Sequence, residues 1–308
     1  GKVMNEIQKH LLEEISDLQG VPQGAYNIRS NSQSVGRAST AHIKIATKPD
    51  QDGLDIFIQP GTRNESVHIP VIISQAGLKE LIYNDYYIGE GADVVIVGGC
   101  GIHCGSDDGA VHDSIHTFHV GKNASVKYIE KHYGEGDGKG ERIMNPTTIV
   151  EMQEGSFMDM ETSQIKGIDS TERITKAKLA ARATFIVKEK IMTHDKQYAK
   201  SYFKVELNGE DSKTNVVSRS VGSDASQQIF LAKLFGNNRC YGHSECDSII
   251  MDDAKISAIP EITAQHLDAN LIHEAAIGKI AGEQLAKLMT LGLTAREAEE
   301  QIIQGFLR

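Results

Sequence analysis

Hydrophobic positions change their spacing twice along this chain. Val3, Ile7, Leu11, Ile15 and Leu18 recur about every fourth residue, which lays one apolar stripe on a helix ending near Gly20. A second, short helix is predicted near Leu78–Tyr83. Elsewhere the pattern alternates. Leu54, Ile56 and Ile58 point one way and Asp55, Phe57 and Gln59 the other, as do Phe203, Val205 and Leu207 against Tyr202, Lys204 and Glu206. Asn208-Gly209 is a turn signal, and Gly121, Gly155 and Gly236 mark further turns. Near the C-terminus the helical period returns. Ala276 to Leu291 reads as a helix with Ile277, Ile280, Leu285 and Leu288 on one face, closed by Gly292. Thr294 then caps a second helix, with Glu297 placed for a capping box and Ala298, Ile302 and Phe306 on its apolar side.

The strand-rich middle also repeats. Small or polar residues followed by a β-rich run begin near Ala124, Gly155, Arg182, Ser212 and Arg239, at intervals of about 27–31 residues. The interval then halves to about 15 residues, near Ala254 and Ala269. Such a quasi-period suggests the coils of a solenoid, each stacked on the one before. No fixed motif marks each repeat, so an antiparallel sandwich or barrel with long hairpins also fits the alternation.

Composition narrows the function classes. The formal net charge of −10 argues against a nucleic-acid backbone as partner. No apolar run approaches the roughly 18 residues that span a bilayer, and Gly1-Lys-Val-Met-Asn-Glu6 does not read as a signal peptide. The expectation is a cytoplasmic protein without membrane insertion, whose 4 cysteines are thiols rather than a disulfide framework.

Two groups of residues carry metal chemistry. Cys100, His103 and Cys104, with His112, His116 and His119 close behind, have spacings compatible with zinc. In a strand, however, His116 shares a face with Phe118 and Val120 while His119 shares the other with Thr117, so packing or surface use is expected for the later histidines. The second group is Cys240, His243, Cys246, His273 and Glu274. Thiolate, imidazole and carboxylate together suit a transition metal or an iron–sulfur centre better than magnesium or calcium. Cys240 and Cys246 are six residues apart, and a loop or strand turn between them would bring both to one centre. With Cys100 they would supply three thiolates, completed by Glu274 or His273. Three thiolates and a harder donor hold a cluster less tightly than four, which suits a site that gives its cluster away. Gly134-Glu-Gly-Asp-Gly-Lys139-Gly has neither the spacing of a phosphate loop nor its Ser or Thr, so no nucleotide site is expected and the stretch reads as a flexible surface loop. Arg142 and Arg219 are expected to pair with carboxylates on neighbouring coils rather than bind an anion.

From Ala92 to Arg308 the sequence resembles the SufB/SufD family of iron–sulfur cluster assembly scaffolds. The marks are Gly242-His243 with Cys246-Asp247-Ser248, then Ala258-Ile-Pro260, His273-Glu274-Ala275, Leu291-Gly-Leu-Thr-Ala-Arg-Glu297-Ala298 and Gly305-Phe306-Leu307. The chain is short for the family and is most similar to its minimal archaeal type. The resemblance implies a right-handed parallel β-helix over 91–275, preceded by a helical and mixed segment over 1–90 and followed by a helical ATPase-docking segment over 276–308. It implies that Cys246 and Glu274 match residues used in the SufB branch and His273 a histidine of the SufD branch. One chain would then carry what two paralogues divide, as a homodimer joined at the end of its β-helix. A departure falls at Tyr128-Ile-Glu130-Lys131, which is followed by His132 where longer relatives have a sulfur-accepting cysteine. Sulfur would instead reach Cys246 or Cys100 directly, or arrive as sulfide.

The resulting expectation is a scaffold rather than an enzyme, holding a transient iron–sulfur cluster on Cys246, Glu274, His273, Cys240 and Cys100. Its partners would be a SufC-like ABC ATPase at the C-terminal helices, a sulfur donor and apo-acceptor proteins. A metal-dependent β-helix hydrolase and a purely structural adaptor of an ATPase are the competing readings.

Overall fold

The computed structural model describes residues 4–16 and 22–308. It opens with α1 (Glu6–Ser16), followed by two antiparallel pairs, β1 (Ala25–Ser30) with β2 (Gln33–Ala38) and β3 (Ile43–Thr47) with β4 (Gly53–Ile58). The chain then winds through β5 (Arg63–Ile73), β6 (Lys79–Ile88), β7 (Asp93–His103), β8 (Ala110–Val120), β9 (Ser125–Glu135), β10 (Arg142–Met152), β11 (Phe157–Lys166) and β12 (Ser170–Leu179). It continues through β13 (Thr184–Thr193), β14 (Tyr198–Leu207), β15 (Ser212–Gly222), β16 (Gln227–Gly236), β17 (Cys240–Ile250), β18 (Lys255–Ala264) and β19 (Ala269–Gly278). Two helices follow, α2 (Gly282–Thr290) and α3 (Ala295–Leu307).

From β5 onward, odd-numbered strands stack in one sheet and even-numbered strands in the other, each strand pairing in parallel with the strand one coil away. The result is a parallel β-solenoid of about 8 turns. This explains the changing interval in the sequence. The positions from Ala124 to Arg239 all precede or open odd strands, one full coil apart, whereas Ala254 precedes β18 and Ala269 opens β19, half a coil apart. Gly121 and Gly155 lie in turns, while Gly236 is the last residue of β16 and its turn follows it.

Alternation sets what fills the space between the sheets. In β14 the residues Ala199, Ser201, Phe203, Val205 and Leu207 are buried and their neighbours are not. The interior is apolar over much of its length, from Ala25 and Ile43 to Phe230 and Leu234, and each large apolar side chain so buried contributes about 1.5–3 kcal/mol.

Two predicted helices are corrected. The segment near Leu78–Tyr83 belongs to strand β6, whose inward residues are Glu80, Ile82, Asn84, Tyr86 and Ile88. Two polar residues inside and an exposed Leu81 and Tyr87 outside mask the period of two. At the other end, Ala276 and Ile277 do not start a helix: they continue β19 opposite Asp247 and Ser248, and α2 begins only at Gly282. Leu285 and Leu288 do lie on α2, half-buried. The capping box of α3 forms as expected, the Thr294 hydroxyl accepting from the Glu297 amide at 3.2 Å and the Glu297 carboxylate from the Thr294 amide at 3.3 Å.

The helices sit outside the solenoid. Leu11, Leu12 and Ile15 of α1 are buried, whereas Val3, Leu18 and Gly20 of the same stripe lie outside the described residues. The helix rests where β7 has no side chains: a Cβ at Gly101 would stand 3.3 Å from Leu11 Cβ. Helix α3 lies along the outer face of the odd sheet beside β15, with Ala298 buried. Arg219 does not pair with a carboxylate of the next coil; its Nη1 donates to the Arg308 carbonyl at 2.9 Å. Arg142 does make the expected cross-coil pair, with Asp169 at 3.2 Å. The glycine-rich stretch is an ordered stack rather than a free loop. Gly138 and Gly140 donate to the Cys104 and Ser106 carbonyls of the preceding coil, so close that a Cβ at either would strike backbone.

Candidate functional site

The residues singled out near the C-terminus lie on β17 and β19, adjacent parallel strands that close the odd sheet. Their register places Ser244 opposite His273, Glu245 opposite Glu274 and Cys246 opposite Ala275. Side chains on a strand alternate between faces, so this short stretch is divided into two sets with different chemistry.

The inner set is soft. Cys246 points between the sheets and is 1% exposed. Burial pushes its thiol up to about 11, against a hydrogen-bonding contact with the Ser248 hydroxyl at 3.6 Å. His273 occupies the same face one step along β19. Its Nδ1 lies 2.6 Å from the Ser244 hydroxyl, and its Nε2 is buried with no hydrogen-bond partner. Burial, with the nearby His243, lowers the His273 pKa, which keeps the imidazole neutral and able to donate a lone pair. A thiol and an unpartnered imidazole nitrogen on one face fit an iron or cluster cargo.

The outer set is hard. His243, Glu245 and Asp247 alternate along the solvent side of β17, and Glu274 lies directly across from Glu245. One ligand atom each from His243, Glu245 and Glu274 come within 4.8 Å of one another, the one such grouping among the described residues. Asp247, partial burial and Glu274, in that order, raise the Glu245 carboxyl to about 7. Glu274 therefore belongs with His243 and Glu245 and not with Cys246 and His273. Glu245 carried no weight in the sequence reading. Its signal was the alternation His243, Glu245, Asp247, which fixes a shared face once the segment is known to be a strand.

The remaining cysteines stand apart. Cys240 is on the inner face at the opposite end of β17, roughly 20 Å from Cys246 along an unbroken strand. The expected loop between them does not exist. Cys100 is on β7, five strands away across the sheet, roughly 24 Å. Within one chain neither reaches Cys246. Burial raises the pKa of both thiols.

The earlier cysteine–histidine cluster is likewise dispersed. Cys100 faces inward and His103 outward, where it lies 2.6 Å from Glu135. The Cys104 thiol contacts the carbonyls of Ser106 and Asp108 at 3.4 Å and that of Gly140 at 3.5 Å, tying loops together. His112 is buried 2.7 Å from Glu80, His116 is buried beside Tyr86, and His119 stacks outside on Tyr87 while contacting Asp85 at 2.9 Å. The packing and surface uses expected for these three histidines are what the fold provides.

Inside the solenoid, Cys246 ends a polar row. Ser218 is its neighbour in register and donates to Glu189 at 2.7 Å; Ser201 donates to the same carboxylate at 2.7 Å. Arg173 lies between Glu189, at 4.0 Å, and Glu130, at 2.5 Å, all of them buried. Against the cost of burial, the Arg173 charge and His132 hold Glu130 well below the usual carboxylate range; for Glu189 burial prevails and its pKa is raised. Glu130 and His132, at the point where the chain departs from the resembled family, form part of a buried ion network here.

A family model described as the SUF system FeS cluster assembly, SufBD core domain, matches residues 84–306. The chain belongs to the SufBD family. Among relatives, a protein of Archaeoglobus fulgidus described as an iron–sulfur cluster assembly SufBD family protein is 28% identical over 269 residues, 86% of this chain and 70% of the relative. One of Methanocaldococcus jannaschii with the same description is 28% identical over 250 residues, 78% of this chain and 76% of the relative. One of Pyrococcus horikoshii is 25% identical over 287 residues, 91% and 86% of the two chains. SufBD membership supports a role in iron–sulfur cluster assembly and agrees with the short archaeal type. No helix among the described residues is long and apolar enough to cross a membrane.

Proposed function

We propose that this SufBD protein is a scaffold on which iron–sulfur clusters are assembled and from which they are transferred. The observation that carries the reading is the placement of the Cys246 thiol and the unpartnered His273 Nε2 on one face at the open end of the solenoid. There β18 and β19 are the last strands of their sheets, and the inward rows they carry are covered by no further coil. Ile259, Ile262, Ile272 and Ile277 are exposed there, an arrangement that favours pairing with a second copy at this edge. A homodimer would bring two Cys246–His273 pairs to one junction and supply the further thiolate that Cys240 and Cys100 cannot provide from within the same chain.

Helices α2 and α3 offer a docking element for a SufC-like ABC ATPase. Motion of that partner would act on the junction through differential contacts with α3, which rests on the odd sheet. A sulfur donor and apo-acceptor proteins complete the cycle, and the site of action is the cytoplasm. The transfer half of the reading is tested by loading the full chain anaerobically with iron and sulfide, removing free ions, and adding an apo-ferredoxin. The acceptor's visible spectrum should grow as the scaffold's decays, in the presence of a chelator. Growth that the chelator abolishes would mean release to solution and would contradict a scaffold.

A further inference from the structure

The outer face of β17 and β19 presents an arrangement that the sulfur chemistry of Cys246 does not use. His243 Nδ1 lies 2.7 Å from the side-chain oxygen of Asn215 on β15, which directs its N–H there and leaves Nε2 as an acceptor. That Nε2 is 3.5 Å from Glu274 Oε2, a separation suited to two ligands around one ion rather than to a direct hydrogen bond. An imidazole steered by a carbonyl oxygen on its other nitrogen is the usual disposition of a metal-bound histidine. Glu245 and Glu274 are side by side in register, and like charges directly opposed across two strands destabilise the pair unless something neutralises them. Asp247 adds a third carboxylate on the same face.

We propose that His243, Glu245 and Glu274 form a divalent-metal site on the outer face of the last coil, separate from the Cys246 thiol, with Asn215 positioning the histidine. The donor set is one imidazole nitrogen and two carboxylates, with metal–ligand bonds of about 2.0–2.2 Å reached by small rotations of the exposed Glu274. Such a set takes manganese, ferrous iron or zinc, and lacks the sulfur that selects cuprous copper or a preformed cluster. The further identification of its ion as ferrous iron, held before it meets sulfur, rests on the scaffold reading above. Glu245 and Cys246 are consecutive residues, so metal and thiol are held on opposite sides of one strand. Iron would be kept next to the thiol without reacting with it until the edge of the sheet opens.

The test uses the full chain, metal-free and anaerobic, titrated with manganous ion while the free ion is read by electron paramagnetic resonance, and then with ferrous iron in competition. Wild type and Cys246→Ser should bind one ion per chain with equal affinity. Glu245→Gln and Glu274→Gln should each weaken binding at least about tenfold, and Asn215→Ala by about 10–100-fold, the range for loss of an orienting partner. Circular dichroism of these outer-face variants should match wild type. Manganese binding unchanged in the Glu245→Gln, Glu274→Gln double variant, or lost in Cys246→Ser, would overturn the assignment. The outcome is separable from the scaffold reading. Cluster formation in a protein whose outer face binds no ion would sink this inference alone, and ion binding in a protein that forms no cluster would sink the scaffold alone.

Discussion

Donor chemistry and the family resemblance assign Cys246 and Glu274 to one centre, yet alternation along two strands turns them to opposite faces. Burial holds the Cys246 sulfur as a thiol, so iron must displace a proton there, whereas the outer face offers carboxylate oxygens and an imidazole nitrogen to a cation. The candidate residues can thus be named from the sequence, but their grouping cannot. It depends on register, and one residue of slip exchanges the faces. The same alternation turns Glu80 into the solenoid. Burial opposes its ionisation, but His112, Arg29 and Ser32 together outweigh that and bring its pKa down to about 2. A carboxyl lowered on folding stabilises above its unfolded value of about 4.3 and loses that contribution as pH falls toward 2. Glu80→Gln should therefore cost about 2–3 kcal/mol in urea unfolding at pH 7, and its gap from wild type should narrow below about pH 4.5. A gap that stays constant down to pH 3 would show that the charge of Glu80 is not what stabilises.

Among the elements, strands with an apolar inner face were readable and strands with a polar one were not. β14 shows its period through Phe203, Val205 and Leu207, whereas β6 conceals it behind Glu80 and Asn84. Helix α3 was readable to the atom of its cap because a capping box is a local device; the start of α2 was not, because β17 extends β19 by pairing with Ala276 and Ile277. The buried row of Glu130, Arg173 and Glu189 ties β9, β12 and β13 together from both sheets. Removing the cation would leave Glu130 and Glu189 buried without the guanidinium that lies between them. Arg173→Met should cost about 3–5 kcal/mol, the usual result of breaking a buried pair by one partner. Chemical denaturation at pH 7 measures it, and a loss under 1 kcal/mol would mean that the carboxylates are neutralised by something other than Arg173.

At the scale of the molecule, a solenoid is a stack of nearest-neighbour contacts, and its ends are where the stack is incomplete. One end of this solenoid is covered by the antiparallel pairs formed by β1 to β4; at the other, β18 and β19 present open edges and exposed isoleucines beside the candidate site. The coil period suggests a solenoid because every coil repeats similar strand lengths, the family resemblance makes it a parallel β-helix, and the proposed function rests above all on the motif around Cys246 and His273 on the last coil. That motif places the chemistry where a second copy would add its own. The central claim is that this end builds iron–sulfur clusters on Cys246. Its most direct test is anaerobic reconstitution with ferrous iron and sulfide, followed by Mössbauer and optical spectra of wild type, Cys246→Ser and Cys100→Ser. The account predicts a cluster in wild type and in Cys100→Ser, and its loss in Cys246→Ser. A cluster of equal yield in Cys246→Ser, or none in wild type, would contradict it.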